Sequence, residues 1–79
     1  MAKYILPIEI QSLEEGGYLA RSSALPGFLV QADTIEEVIS LSPGVAQALI
    51  ESMREKGVPL PHTLQAIEPP FHTDLLVPV

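Results

Sequence analysis

The spacing of apolar residues changes once along this chain, close to residue 33. Before that point, apolar residues follow the period of two that is typical of a β-strand, and they lie at Tyr4, Leu6, Ile8 and Ile10. After it they recur every three or four residues, as on the buried face of an amphipathic helix, at Val38, Leu41, Val45, Leu49 and Met53. A sheet followed by a helix predicts a domain of the α+β class.

Two glycine-containing turns divide the first part of the chain into three strands, because glycine adopts positive φ at no steric cost. The turns are Glu14-Glu15-Gly16-Gly17 and Leu25-Pro26-Gly27. The predicted strands cover residues 3–13, 18–23 and 28–31. They form an antiparallel meander over about residues 3–32. Pro7 cannot donate a backbone hydrogen bond, which indicates a sheet edge or a local gap in the pairing.

The spacing predicts a helical region over about residues 34–56, packed on one face of the sheet. Thr34 is a good N-cap, and Glu37 stands at the position that completes a capping box. Gly57 is a good residue to end the helix, after the basic side chains of Arg54 and Lys56.

Ser42-Pro43-Gly44 interrupts this helical pattern, because a proline removes one helix hydrogen bond and clashes with the preceding turn. Two outcomes follow from the sequence. The helix is kinked here, or it ends and a second helix begins with Ser42 as its cap and Pro43 in its first position. The apolar stripe continues in phase across the interruption, which favours a kinked or broken helix that keeps one overall direction.

The last part of the chain is predicted to be an extended tail that ends in a strand, over about residues 58–79. Residues 62–72 are predicted to be irregular, since Pro69-Pro70 blocks regular structure. Residues 73–79 are apolar enough to predict a C-terminal strand that joins the sheet or is buried against another chain. The whole chain, residues 1–79, is therefore expected to form one β-β-β-α-β domain.

The charge balance limits the kinds of partner that this chain suits. Ten acidic residues face four Lys and Arg, which gives a formal net charge of -6. Such a surface repels nucleic-acid phosphates and favours a basic protein partner, although acidity also keeps a small protein soluble. The chain contains no cysteine, no signal peptide and no apolar stretch that would span a membrane, so a cytoplasmic location is expected. At 79 residues it is short enough for homo-oligomerisation to add useful stability.

Four short motifs, in order over about residues 3–61, resemble the N-terminal domain of the HicB family of antitoxins. Each is weak alone, but the set is more specific. They are Glu15-Gly16-Gly17-Tyr18, Leu25-Pro26-Gly27-Phe28, Gln31-Ala32-Asp33-Thr34-Ile35-Glu36-Glu37, and Glu55-Lys56-Gly57 followed by Pro59-Leu60-Pro61.

The resemblance implies a partially degenerate ribonuclease H-like fold without ribonuclease activity. It also implies binding and neutralisation of HicA, a small basic RNA-cleaving bacterial toxin. Full-length family members usually add a C-terminal DNA-binding domain, which this chain is expected to lack, so autorepression is not carried over. The Pro43-Gly44 pair departs from the smoothly helical family pattern and puts the inherited fit to a toxin in question.

The sequence predicts no catalytic residue, no cofactor and no metal site. A ribonuclease H-like site needs several converging carboxylates, whereas Glu9 is expected on the solvent face of the first strand. His62 and His72 would act as a pair only if folding brought them together, and surface positions are the favoured interpretation.

The candidate partner-binding residues are the acidic side chains of the first turn and the helix start, Glu14, Glu15, Glu36 and Glu37. An antitoxin-like module that binds a basic toxin is the favoured function. A stand-alone homo-oligomeric structural or regulatory protein without a toxin partner is the alternative, and residual metal-dependent nuclease activity is a weaker third hypothesis.

Overall fold

The computed structural model describes residues 3–62 and 64–79. In chain order the elements are β1 (Tyr4–Ile5), β2 (Glu9–Ser12), β3 (Tyr18–Arg21), β4 (Leu29–Ala32), α1 (Ile35–Glu55) and β5 (Gln65–Ala66). Strands β2, β3 and β4 form an antiparallel three-stranded sheet in that order, and β1 pairs with β5 in a separate two-stranded ribbon. The predicted α+β class and the three-stranded meander are confirmed.

The β2–β3 hairpin closes at the glycine turn that the sequence predicted. Gly16 and Gly17 both have positive φ, at 98° and 87°. The turn is held by two backbone hydrogen bonds, in which the N–H of Gly16 donates to Leu13 O and the N–H of Leu13 donates to Gly17 O, both at 3.0 Å. The register then pairs Ser12 with Tyr18.

The second predicted turn is also present, and it carries part of the core. Gly27 has a φ of 86°, and the N–H of Phe28 donates to the carbonyl of Leu25 at 3.2 Å. This places the buried side chains of Leu25 and Phe28 beneath the sheet, beside Val30 of β4. Strand β4, the third strand of the meander, begins at Leu29, one residue later than the sequence predicted.

The prediction of one continuous first strand over residues 3–13 is wrong. The chain leaves the sheet between Ile5 and Glu9, so that β1 and β2 belong to different sheets. Pro7 lies in this gap and has no N–H for a strand ladder. Its carbonyl instead accepts a hydrogen bond from the Ser22 hydroxyl at 2.7 Å.

Helix α1 has the N-cap and the terminating glycine that the sequence predicted, whereas Glu37 bonds the Thr34 hydroxyl rather than the backbone N–H of a capping box. Thr34 is the N-cap, with its Oγ1 accepting from the N–H of Glu37 at 3.1 Å and donating to Glu37 Oε1 at 3.3 Å. At the other end, the N–H of Val58 donates to Met53 O at 2.8 Å and that of Gly57 to Arg54 O at 3.2 Å. With Gly57 at a φ of 70°, this is the Schellman pattern of helix termination.

The predicted break at Ser42-Pro43-Gly44 is wrong, because α1 runs through Pro43 without interruption. Ser42 does not cap a second helix. It is buried, and its hydroxyl donates to the carbonyl of Val38 at 2.6 Å. Packing of the apolar face along the whole helix offsets the one hydrogen bond that Pro43 removes. A bend at Pro43 stays a prediction.

The core lies between the sheet and one face of α1. Its buried residues are Ala20, Leu25, Phe28, Val30 and Val38. Val45, Leu49 and Met53 pack against them as predicted. The prediction that Leu41 belongs to the same buried face is wrong, since half of its surface (51%) is exposed. Ser42, four residues after Val38, takes the inward position instead, as the pitch of the helix allows.

The prediction of a strand over residues 73–79 is also wrong. Residues 71–79 have no regular secondary structure and are all exposed. The strand that returns to the N-terminal segment is β5, within the stretch that was predicted to be irregular. It pairs antiparallel with β1, and the N–H of Ile67 extends the ribbon by donating to Lys3 O at 2.9 Å. Composition alone predicted burial of the tail but could not supply its partner.

Candidate protein-binding surface

The hairpin turn and the start of α1 lie at the same end of the sheet. Strand β3 begins at Tyr18, directly after the turn, and Tyr18 pairs with Ala32, the last residue of β4. Gly17 lies against this junction, since a Cβ added there would come within 3.0 Å of the Ala32 carbonyl oxygen. The same Cβ would lie 4.0 Å from the Cα of Asp33. The register and this close approach bring the end of the hairpin turn next to the connection that leads into α1.

All four predicted binding residues are exposed at this end. Glu14 and Glu15 lie in the hairpin turn, and Glu36 and Glu37 lie in the first turn of α1. The structure adds Asp33, an exposed residue in the connection between β4 and α1. We call these five residues the acidic end: Glu14, Glu15, Asp33, Glu36 and Glu37. The signal that would have found Asp33 is its place between a paired strand and a capped helix.

The acidic end concentrates the negative charge of the chain. It holds five of the ten acidic residues of the chain. The four basic residues lie elsewhere in the sequence, at Lys3, Arg21, Arg54 and Lys56. Arg21, the only one in the three-stranded sheet, stands at the opposite end of β3 from the hairpin turn. The first-turn glutamates Glu36 and Glu37 lie at the positive end of the helix dipole, where acidic residues are preferred.

The other titratable candidates from the sequence do not converge. Glu9 is exposed on β2, opposite Arg21 in the register. His62 follows α1 and His72 lies in the exposed tail, and both side chains are exposed. Within residues 3–62 and 64–79, no group of three or more His, Asp and Glu side chains is arranged to hold a metal ion.

A second surface, which sequence reasoning missed, is an open groove of about 490 Å³ between α1 and the N-terminal segment. The apolar side chains Tyr4, Leu6 and Ile8 line one wall, and Ile39, Ala46 and Ile50 of α1 line the other. We call it the apolar groove. It depends on the contact between segments far apart in the sequence, so no local pattern would have indicated it.

Arg54 joins the end of α1 to β1 beside this groove. Its guanidinium donates to the Tyr4 hydroxyl at 3.1 Å, and its central carbon lies 6.0 Å from the centroid of the Tyr4 ring. This geometry combines a hydrogen bond with a cation–π contact. It holds the wall of the groove to the helix with a polar group at the rim.

The apolar side chains of residues 71–79, which we call the C-terminal tail, have no cover. The exposed fractions are 83% for Leu75, 61% for Leu76 and 67% for Val77, and Val79 is fully exposed. Single exposed apolar residues are ordinary on a protein surface, but a contiguous run marks an interaction site or an aggregation risk.

Comparisons with known proteins add no relative to these observations. No protein-family model matches the chain, and no curated protein matches it significantly. The resemblance to HicB antitoxins therefore depends on the four sequence motifs alone. Among residues 3–62 and 64–79, no helix combines the length and the apolar character needed to cross a membrane.

Proposed function

We propose that this protein is a non-enzymatic, antitoxin-like binding module of the HicB type. Its partner is a small basic RNA-cleaving toxin of the HicA type in the bacterial cytoplasm. The observation that carries the proposal is the acidic end, where two segments with five exposed acidic residues lie at the same end of the sheet. The module needs no cofactor and binds neither nucleic acid nor membrane.

The electrostatic argument concerns the partner's own surface. A protein that cleaves RNA presents basic side chains to the phosphate backbone. An exposed acidic end suits the same side chains, and opposite fields raise the association rate and disfavour wrong partners. Binding there would keep RNA from the toxin without any chemistry on the part of the antitoxin.

The order of elements supports the proposed family. Three antiparallel strands followed by a capped helix are what a partially degenerate ribonuclease H-like domain requires up to residue 56. The four family-like motifs fall on the hairpin turn, the second turn, the helix start and the helix end. These positions hold backbone geometry, so they support the fold more directly than the choice of partner.

The decisive experiment compares two charge-reversed variants against the product of a neighbouring small basic reading frame. Glu14→Lys with Glu36→Lys alters the acidic end, while Glu55→Lys with Glu68→Lys alters exposed residues outside it. Each pair adds four charge units, so both variants change the net charge from -6 to -2. We expect the first pair to slow association by about tenfold or more in a salt-sensitive way, and the second pair to have a smaller effect.

Two outcomes would contradict the proposal. Equal slowing by both pairs would mean that net charge, rather than the acidic end, governs association. The absence of a complex at micromolar concentration, together with unrelieved toxicity on co-expression, would remove the toxin as a partner.

The absence of catalysis is tested separately. Purified protein with magnesium or manganese is expected to leave RNA intact. Metal-dependent cleavage that Glu9→Ala abolishes would overturn the non-enzymatic assignment.

A second candidate function is a stand-alone homo-oligomeric structural or regulatory protein. The exposed apolar side chains of the C-terminal tail favour it, because oligomerisation would cover them. A monomeric mass in light scattering at high concentration would contradict this candidate.

A further inference from the structure

The chain presents two apolar surfaces that do not cover each other. The apolar groove is open to solvent between α1 and the N-terminal segment. The C-terminal tail extends away with its leucine and valine side chains exposed. Both surfaces expose apolar area to water in the isolated chain. Burying such area is the main favourable term in association.

The dimensions of the two surfaces agree. Along α1 the groove runs from Ile39 to Arg54, which is about 22 Å at the rise of an α-helix. Residues 73–79 in an extended conformation span about 20 Å. The tail is therefore long enough to fill most of the groove.

The chemistry also agrees. In an extended segment alternate residues share a face, so Leu75, Val77 and Val79 point the same way. These three are the most exposed large apolar residues of the structure. The groove offers them isoleucine, leucine and alanine side chains, and the polar side chains of Gln47, Glu51 and Arg54 complete its α1 wall.

We propose that two copies of this chain form a dimer by reciprocal exchange, in which residues 73–79 of each copy occupy the apolar groove of the other. A second copy is the fitting occupant because it brings a tail of matching length and apolar character, whereas the tail of the same chain is exposed and does not line the groove. Two equivalent contacts also close the assembly under two-fold symmetry. A domain of this size gains from the added buried surface.

The exchange is independent of the toxin-binding proposal, because the groove and the acidic end share no residue. It goes beyond the oligomeric alternative by naming the two surfaces that meet. Tail-dependent dimerisation can therefore fail while toxin binding holds, and toxin binding can fail while dimerisation holds. The experiments distinguish these two outcomes.

The first test measures the mass of the full chain and its dissociation constant by sedimentation. We expect a dimer for the unmodified chain and dissociation that is at least about tenfold easier for Leu75→Asp with Val77→Asp. Ile39→Arg, which blocks the groove, is expected to weaken the dimer similarly. Leu41→Arg is the matched control on the same helix, because Leu41 is exposed but does not line the groove, and it should leave the mass unchanged. Circular dichroism verifies that each variant is folded.

The second test mixes the tail variant with the Ile39→Arg variant. In an exchanged dimer, the intact tail of one variant still fits the intact groove of the other, so a mixed dimer should form more readily than either variant does alone. Two results would overturn the proposal. One is a dimer that neither variant weakens, and the other is a mixture that forms dimers no more readily than each variant alone.

A monomeric unmodified chain would also overturn it. If hydrogen exchange then showed a protected tail, the tail would occupy the groove of its own chain. If the tail were unprotected, the groove would have no occupant from this sequence.

Discussion

Helix α1 and the C-terminal tail are both rich in apolar residues, and only one of them finds a place in the fold. The helix has a repeat that selects one face, a cap at Thr34 and a terminating glycine at Gly57. The tail has apolar side chains on both faces of an extended segment, and no turn directs it toward the sheet. Apolar content alone thus predicts that a segment needs cover, whereas period and end signals predict where the segment goes.

The largest expected effect separates buried from exposed leucines. Leu25→Ala removes a side chain with no exposed surface and is expected to lower the free energy of unfolding by about 2–5 kcal/mol. Leu76→Ala in the tail should change it by no more than about 0.5 kcal/mol, because that side chain has no cover in the isolated chain. Urea unfolding, at a concentration low enough to keep both variants monomeric, measures the difference. Equal losses would mean that the tail belongs to the folded core.

A smaller effect is expected at the glycines that shape the ordered region. Gly17→Ala should destabilise the fold by about 1–2 kcal/mol, because its φ is positive and a Cβ there meets the Ala32 carbonyl oxygen at 3.0 Å. Gly44→Ala is the matched control, since a Cβ on this helical residue has open space. It should stabilise the protein by about 0.5–1 kcal/mol. Thermal unfolding of both variants checks the sign, and a stabilised Gly17→Ala protein would contradict the close approach of the hairpin turn to the helix start.

The smallest of the three effects is expected at Thr34, the N-cap of α1, which has no counterpart in the tail. Thr34→Ala removes the hydroxyl that accepts from the N–H of Glu37, and should cost about 1 kcal/mol. Thr34→Ser keeps the hydroxyl and should recover most of this loss. If Thr34→Ala left the midpoint of unfolding unchanged, packing alone would determine where α1 begins.

The parts of the fold that could be predicted are those with local physical causes. The two glycine turns, the caps at Thr34 and Gly57 and the in-phase apolar residues follow from neighbouring residues, and the structure contains them. The pairing of β1 with β5 could not be predicted, because it joins Tyr4 and Ala66, which are far apart in the sequence. Ser42 was assigned to a break rather than to the core, since its hydrogen bond to the Val38 carbonyl becomes visible only inside an intact helix.

The candidate surface shows the same limit. The residue types of the acidic end were readable from the sequence, whereas the adjacency of its two segments depends on the cross-strand register of Tyr18 and Ala32. The apolar groove was not readable at all. Its walls come from segments that are far apart in the sequence, which the contact between Arg54 and Tyr4 joins.

The β1–β5 ribbon has a consequence for the order of folding. It connects residues 4 and 66, whereas the β2–β3 and β3–β4 pairings connect residues that are close in sequence. Closing a long loop costs more chain entropy than closing a short one, so the ribbon should assemble after the meander and the helix. We expect it also to be the first element to detach in brief openings of the native state, so that the Ile67 amide exchanges earlier than the hydrogen-bonded amides of the meander and the helix. Detachment of β1 would move Tyr4 away from α1 and open one wall of the groove. Residues 73–79 of a second copy could then enter it.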